Sequence, residues 1–294
     1  MKKEKRKKYI FSLFLQLLFI FILCFIFIFS TVYADNPKEH VIPLIDIELL
    51  DLYVKFGIGE INLESGEGDV FKGNFQYGNG ILEPKIQYNT LESKGVLMLS
   101  QGIRKDINLL FPLQNTWSIE LPENVPMRIN VNSATCNGNM DLSGLQVKEL
   151  SLLSGVSNLS IFFNRLNTVV LDKINIKTGA SKLEMNGLAN ANFDRMEFSG
   201  GAGKYIFDFS GVLKNKSKIK INVAAAKVIL KIPSFYGTRI KVPKNPTSSL
   251  KIKDFMQIND QVYINQLYGK MNEEIDIEIN GMLLDIEIIT LFGV

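Results

Sequence analysis

Apolar and polar residues alternate with a period of two through most of the chain after residue 40. Residues 44–49 and 54–63 show the alternation clearly, and this pattern predicts half-buried β-strands. The polar or glycine-rich stretches GEGD (66–69), GNG (78–80) and ESKG (92–95) predict hairpin turns between the strands. No window after residue 34 carries a helical stripe of apolar residues, so the sequence predicts an all-β protein.

One eight-residue phrase recurs along the second half of the chain. Each copy has a small residue at its fourth position and apolar residues at its sixth and eighth positions. The sixth positions are spaced 19, 24, 22 and 23 residues apart, which is typical of a solenoid. The copies are TCNGNMDL (135–142), SGVSNLSI (154–161), TGASKLEM (178–185), GGAGKYIF (200–207) and VAAAKVIL (223–230), preceded by FGIGEINL (56–63).

Alternation also assigns the two faces of each predicted rung, with two short strands and two turns expected in a rung. The sixth and eighth positions point into the stack and the fifth and seventh point outward. The fifth positions are Asn139, Asn158, Lys182, Lys204 and Lys227. The seventh positions begin polar, at Asp141, Ser160 and Glu184, and end apolar, at Ile206 and Ile229. We therefore expect the C-terminal segment to cover the last rungs.

Four regions follow from these patterns. Residues 1–34 form a targeting segment, 41–126 an N-terminal β-layer, 127–253 the solenoid repeats, and 254–294 an acidic C-terminal β-cap. The cap is expected because an uncovered solenoid end exposes a strand edge that can pair with another chain.

The targeting segment has two possible fates. Six basic residues precede an apolar run over 9–29, and Val32-Tyr33-Ala34 offers the small residues that signal peptidase recognises. The same run is long enough to span a bilayer as an uncleaved anchor. Either fate predicts an exported protein, released after cleavage between Ala34 and Asp35 or held by one transmembrane helix.

Removing this segment changes the charge and the cysteine count. The formal net charge of +3 for the whole chain becomes about −2 when residues 1–34 are left out, so the apparent basicity belongs to the export signal. Cys136 is then the only cysteine, so an intramolecular disulfide is impossible and the thiol is expected to be packed.

A sharp charge boundary lies near the C-terminus. Residues 214–253 contain eleven basic residues and no acidic one, whereas 254–294 contain eight acidic residues and only Lys270 in opposition. One interpretation is a solvated strand face that the acidic segment partly neutralises. The other is a docking surface for an anionic wall polymer, lipid headgroups or an envelope protein. The residues predicted for such a binding face are Lys182, Lys204, Lys227, Lys214, Lys216, Lys218 and Lys220.

Three stretches identify a family resemblance. VKFGIGEINLESGEGDVFKGNFQY (54–77), LEPKIQYN (82–89) and YINQLYGKMNEEIDIEING (263–281) resemble toast-rack domains. The chain is similar to the extracytoplasmic part of bacterial regulators that restrain a sensor kinase in the response to cell-wall antibiotics. The resemblance implies a single-layer, right-handed parallel β-solenoid without enzymatic activity. Those regulators carry several transmembrane helices before the domain, whereas this chain has one apolar segment, so the kinase-inhibitor role does not transfer.

Residues for catalysis, metals or cofactors are scarce. The sole histidine, His40, lies in a predicted linker, and one histidine with one cysteine cannot build a zinc site. A glycosidase needs two carboxyl groups about 5–9.5 Å apart, but Ser160 separates Asp141 from Glu184 in the seventh column. SGGAGKY (199–205) lacks the P-loop spacing, and GEGD (66–69) lacks the remaining ligands of a calcium loop. The sequence predicts no catalytic, cofactor or metal site.

These observations favour a non-catalytic, exported cell-envelope module that binds a protein partner or wall component, with a role in envelope stress sensing as one option. A β-solenoid polysaccharide lyase or hydrolase and a self-associating structural protein stay open as alternatives. Nucleic acid is not expected as a partner, since the protein is exported and only Phe235 and Tyr236 could stack within the basic block.

Overall fold

The computed structural model describes residues 37–78, 83–102 and 114–293. The predicted targeting segment (1–34) and part of the GNG turn (78–80) lie outside these residues. Within them, no helix has the length and apolar character needed to cross a membrane. The one helical element there is a single 3-10 turn, Leu188–Ala191, so the prediction of an all-β protein is confirmed.

In the part of the chain that the structure describes, seventeen strands form one open sheet. Their bounds are β1 Lys38–Pro43, β2 Leu49–Gly66, β3 Val70–Tyr77, β4 Lys85–Leu91, β5 Lys94–Ser100, β6 Asn115–Pro122, β7 Pro126–Asp141, β8 Gln146–Phe162, β9 Leu171–Asn186, β10 Phe193–Asp208, β11 Ser217–Pro233, β12 Gly237–Lys241, β13 Ser249–Lys251, β14 Met256–Asn259, β15 Val262–Ile264, β16 Glu274–Asn280 and β17 Leu283–Leu291.

The repeated phrases lie in long parallel strands. β2, β7, β8, β9, β10 and β11 pair side by side in that order, and each is one continuous strand of 16 to 18 residues. The expectation of two separate strands in each rung is therefore wrong, because the second short strand runs directly into the phrase.

Each long strand nevertheless bends. In β8 the buried residues are Leu150 and Leu152 before the bend, but Leu159 and Ile161 after it, so the buried positions change from even to odd numbers. An extra residue at the bend produces this change, because side chains otherwise alternate strictly. We call the part of a rung before the bend the first arm and the part after it the second arm.

The bend explains the small residues of the phrase. A β-carbon added to Gly179 would lie 2.4 Å from the carbonyl oxygen of Gly155 on the neighbouring rung, and one added to Gly203 would lie 1.9 Å from that of Ser181. Neither distance is sterically possible, so the close approach of successive rungs requires glycine at both positions.

The predicted core positions are confirmed. All sixth and eighth positions of the phrases are buried, including Leu183 and Met185 in β9 and Tyr205 and Phe207 in β10. One phrase was placed in the wrong register: Met140 pairs with Ile161 rather than with Leu159, so the true copy is 133–140. A shift by two residues leaves the buried face unchanged, which is why alternation could not reveal it.

The two ends of the stack do not follow the order of the chain. β2 lies between β7 on one side and β5 and β6 on the other. At the far end, β16 and β17 lie between β11 and the pair β12 and β13. Residues 123–125 connect β6 to β7 and cross β2, which lies between them. Residues 234–236 connect β11 to β12 and cross the rung formed by β16 and β17. We call β2, and the rung of β16 and β17, the inserted rungs. The first and last long rungs are therefore flanked on both sides.

The predicted C-terminal cap is accordingly distributed over two places. β14 and β15 form a small antiparallel sheet beside β12, while β16 and β17 form an additional rung against β11. Ile206 and Ile229 are buried, as expected for covered residues. The C-terminal segment lies beside Ile229 as the next strand of the sheet, in which Glu287 of β17 pairs with Ile229.

Candidate binding surface

The acidic C-terminal strands lie between two basic neighbours. β16 and β17 carry Asp276, Glu278, Asp285 and Glu287, and in register beside them are Lys218, Lys220 and Lys227 of β11. On their other side are Arg239 and Lys241 of β12 and Lys251 of β13. Cross-strand pairs of opposite charge stabilise a sheet, so charge favours the insertion of this rung at its observed position.

Several of these charges form ion pairs. Lys241 contacts Glu278 at 3.3 Å, and Lys216 contacts Glu274 at 3.0 Å. Arg239 contacts both carboxylate oxygens of Asp276, with 2.9 Å for the Nε bond. The acidic segment thus neutralises part of the basic block.

Lys227 is the most heavily paired of the predicted binding residues. Its ammonium lies 3.0 Å from Glu287 and 3.6 Å from Asp285. Hydrogen bonding to Glu287 raises the pKa of Lys227. The pKa of Asp285 is lowered, first by the hydroxyl of Ser249 at 2.8 Å and then by the Lys227 charge.

The seven predicted lysines occupy two faces rather than one. Lys182, Lys204 and Lys227 form a column in register on the second arms of β9, β10 and β11. Lys218 and Lys220 lie on the first arm of β11, on the other side of the bend, and Lys214 and Lys216 precede that strand. The bend therefore divides the predicted face into two surfaces.

Ion pairing divides the lysines further. Within the described chain, Lys182 and Lys204 are exposed and have no carboxylate within 4.0 Å, whereas Lys227 and Lys216 have. Lys182 of β9 lies in register between Asn158 of β8 and Lys204 of β10. We call Lys182 and Lys204 the lysine pair.

A second group of cations was not identified from the sequence. Arg195 of β10 pairs in register with Lys173 and Lys218, giving three basic residues on consecutive rungs of the first arm. Lys173 contacts Glu197 at 3.0 Å and thereby lowers the pKa of that carboxyl. Arg195 lies nine residues before Lys204, just as Lys173 lies nine residues before Lys182. This shared spacing indicates a second basic column only when the register of the rungs is known.

A shallow groove runs beside Arg195 and Lys218. Its volume is about 360 Å³, and it mixes five cations with three carboxylates, so its net charge is positive. The charged residues that line it are Arg195, Glu197, Lys218, Lys220, Arg239, Lys241, Asp276 and Glu278.

The residues considered for catalysis lie apart from one another. His40 is exposed on β1, not in a linker, with its ring edge against Phe75. Cys136 is buried, and burial raises the pKa of its thiol to about 12, which opposes nucleophilic chemistry. Glu184 pairs with Ser160 and Ile206, whereas Asp141 pairs with Phe162. With the register corrected, the two acids no longer share a column.

The glycine-rich motifs are structural. GGAG of SGGAGKY forms the bend of β10. GEGD connects β2 to β3, and Gly68 there has φ of 75°, as the turn interpretation requires. In the ranges that the structure describes, no three His, Cys, Asp or Glu side chains come together as a metal site.

An acidic cleft of about 760 Å³ lies at the outer end of β2. It is lined by Glu64, Glu67, Glu120, Glu123 and Lys72. Two of the acids are already paired, since Glu120 contacts Lys72 at 3.5 Å and Glu123 contacts Arg165. Arg165 lowers the pKa of Glu123 mainly through this hydrogen bond.

Comparison with known protein families gives one match. Residues 33–165 match the family described as the N-terminal domain of toast_rack, also called DUF2154. This segment belongs to the toast-rack domain family. The match begins before β1 and ends just beyond β8, so it contains the interleaved N-terminal rungs and the first two repeats, and it confirms the resemblance found in the sequence.

Several solved structures align with the chain over most of its length. A candidate cell adhesion protein from Clostridium sporogenes is 24% identical, with 87% of this chain and 100% of that chain covered and a TM-score of 0.49. A candidate adhesin from Bacteroides fragilis is 11% identical, with 87% and 98% covered and a TM-score of 0.31. None of the curated proteins matches the chain.

Proposed function

We propose that this chain is a non-catalytic, exported module of the cell envelope, and that the second-arm face around Lys182 and Lys204 binds an anionic wall polymer. The observation that carries the proposal is the lysine pair. Its two side chains are stacked on adjacent rungs, and each is exposed and outside ion-pair distance of every described carboxylate.

The chemistry of the pair suits a linear polyanion. Rungs of a β-stack are about 4.8 Å apart, and two ammonium groups at such a distance repel each other by less than about 1 kcal/mol in water. An anionic group between them would remove that repulsion. A polymer that lies along the stack would contact both lysines in turn, and Asn158 and Asn137 would continue the polar column beyond them.

The non-catalytic part of the proposal is supported by where the reactive groups lie. A glycoside hydrolase requires two carboxyl groups that face one substrate. Asp141 and Glu184 lie in different columns, and the acids of the cleft beside β2 include two that are engaged with Lys72 and Arg165.

The finer architecture and location belong to the same proposal. We expect the stack to be a right-handed, single-layer solenoid, since crossovers between parallel strands are almost always right-handed. Export rests on the basic and apolar residues of 1–34. A part in envelope stress sensing would then consist of reporting whether the lysine pair is occupied.

Cosedimentation with purified bacterial cell walls tests the proposal. The variant Lys182→Glu/Lys204→Glu is compared with Lys55→Glu/Lys85→Glu, which changes the net charge equally at exposed lysines on other strands. We expect the first variant to lose about tenfold or more in wall affinity, equivalent to about 1.4 kcal/mol, and the control to stay within about twofold.

Walls from which the anionic polymers have been extracted serve as a second control. Wild-type protein should no longer sediment with them. Equal retention of both variants, or retention by the extracted walls, would contradict the proposal and favour a protein partner instead.

A further inference from the structure

The last four residues of β17 have a strand partner on one side only. On the inner side, β11 pairs with all of Leu283–Leu291. On the outer side, β13 pairs only with Asp285, Ile286 and Glu287. Among the described residues, no strand pairs with 288–291 on that outer side, so a short edge of the sheet is open there.

The direction of the backbone groups at this edge follows from parallel pairing. Ser234 N donates to the carbonyl oxygen of Leu291 at 2.9 Å, so Leu291 faces the inner side. In a parallel sheet, alternate residues direct both their N–H and C=O to alternate sides. Ile288 and Thr290 therefore direct their N–H and C=O outward, where the described chain offers no strand.

A largely apolar cavity lies against this edge. Its volume is about 630 Å³. Met256 and Phe292 at its rim are 61% and 70% exposed, so the cavity has an apolar rim that is open to solvent. Its lining includes Pro233, Phe255, Met256, Leu267, Thr290 and Phe292.

Thr290 adds a polar requirement to the apolar cavity. Its Oγ1 is buried and has no hydrogen-bond partner within the described chain, although buried hydroxyls are nearly always paired. An occupant of the cavity should therefore supply hydrogen-bonding groups as well as apolar surface.

We propose that this edge binds an extended segment of another polypeptide, which adds as a strand beside Ile288–Thr290 and places alternate apolar side chains in the cavity. A polypeptide strand carries the N–H and C=O groups that Ile288 and Thr290 need, whereas a lipid chain would fill the cavity and leave these groups unpaired. This site is separate from the lysine pair and does not depend on the function proposed for it.

The probe for this proposal is the nine-residue peptide KTVTITVTK, with blocked ends. It alternates apolar residues with threonine, and strand addition relies on the main chain, so such a peptide should bind whatever the natural partner's sequence is. Binding is measured by NMR chemical shifts of the chain from residue 35 to residue 294, the form expected after cleavage of the targeting segment. We expect saturable shifts at Thr290, Phe292 and Met256 below about 1 mM peptide.

Two variants separate strand addition from simple capture of apolar surface. Thr290→Pro removes only an N–H that faces outward, so the pairing of β17 with β11 is kept; we expect a loss of about tenfold or more in affinity. Thr290→Val keeps that N–H and should bind within about threefold of wild type. The Lys182→Glu/Lys204→Glu variant should bind the peptide as wild type does, which separates this test from that of the proposed function.

Three outcomes would overturn the proposal. The first is the absence of saturable binding. The second is equal binding by Thr290→Pro, or by a peptide N-methylated at alternate residues, which would show capture of apolar groups without strand addition. The third is a wild-type dimer that becomes monomeric in Thr290→Pro, because the occupant would then be a second copy of this chain.

Discussion

The two ends of the stack use the same topology but differ in their aromatic packing, in the number of their cross-strand ion pairs and in their edges. At the N-terminal end, Trp117 of β6 packs against Phe56 of β2 and Phe75 of β3, with ring centroids 5.0 Å apart in both contacts, and all three are buried. At the C-terminal end, the inserted rung is matched to its neighbours by ion pairs, such as those of Arg239 with Asp276 and Lys227 with Glu287.

The ends also differ in how completely they are closed. β5 and β6 together cover both arms of β2, from Leu49 to Lys55 and from Glu60 to Gly66. β13 covers only three residues of β17. Both inserted rungs are packed into the apolar core. β2 is covered along both arms, whereas the outer edge of β17 is left partly open. The comparison indicates that the N-terminal end serves stability and that the C-terminal end is available for contact.

The largest expected effect is at the aromatic contact. Trp117→Ala would remove a fully buried side chain together with the hydrogen bond that its Nε1 donates to Asn115 at 3.2 Å. We expect a loss of about 3–5 kcal/mol in the free energy of unfolding, measured by denaturant titration. The exposed neighbour Ser118→Ala is the control and should stay within about 0.5 kcal/mol. A loss below about 1 kcal/mol for the tryptophan variant would remove the difference between the ends.

A smaller loss is expected from reversing one charge at the other end. Asp276→Lys would place a cation between Lys218 and Arg239 on the neighbouring rungs. We expect a loss of about 1–2 kcal/mol, since two favourable cross-strand pairs become unfavourable ones. Asp194→Lys, at an exposed site without an ion pair in the described chain, should change the free energy of unfolding by less than half as much. Equal effects would show that charge does not hold the inserted rung.

The smallest expected effect is a dependence of the pairing of β17 on pH. The lowered pKa of Asp285 stabilises the folded state above about pH 4, and this contribution is lost as the pH falls through the folded pKa. The raised pKa of Lys227 contributes fully below about pH 10 and is lost as the pH rises through its folded value. Amide exchange of β17, corrected for intrinsic rates, should accelerate at both extremes before that of β2. A parallel change at both ends would refute the distinction.

Much of the middle of the stack could be predicted from the sequence. Leu159, Leu183 and Val228 are buried as the phrase predicts, because alternation in a strand fixes which face is apolar. The rung that carries GMLLDIEI (281–288) was missed, since Leu284 replaces the small fourth residue of the other copies. The bend was also missed, since a single extra residue does not disturb the pattern on either side of it.

The ends could not be predicted in the same way. The order of β11, β16–β17 and β12–β13 is not that of the chain, and periodicity says nothing about non-consecutive neighbours. The change from basic to acidic residues near Asp254 did indicate that these segments would meet. It did not indicate that one would lie between two parts of the other. The in-register lysine pair, Lys182 and Lys204, also emerged only from the paired strands.

Residue-resolved amide hydrogen exchange of the isolated domain would compare the sealed and the open end in one experiment. Glu60–Leu63 of β2 should show continuous slow exchange, because strands flank it on both sides. In β17, Ile289 and Leu291 should exchange slowly and Ile288 and Thr290 rapidly, since only the former face β11. Continuous protection across Ile288–Leu291 in the monomer would contradict the open edge and, with it, the contrast between the two ends.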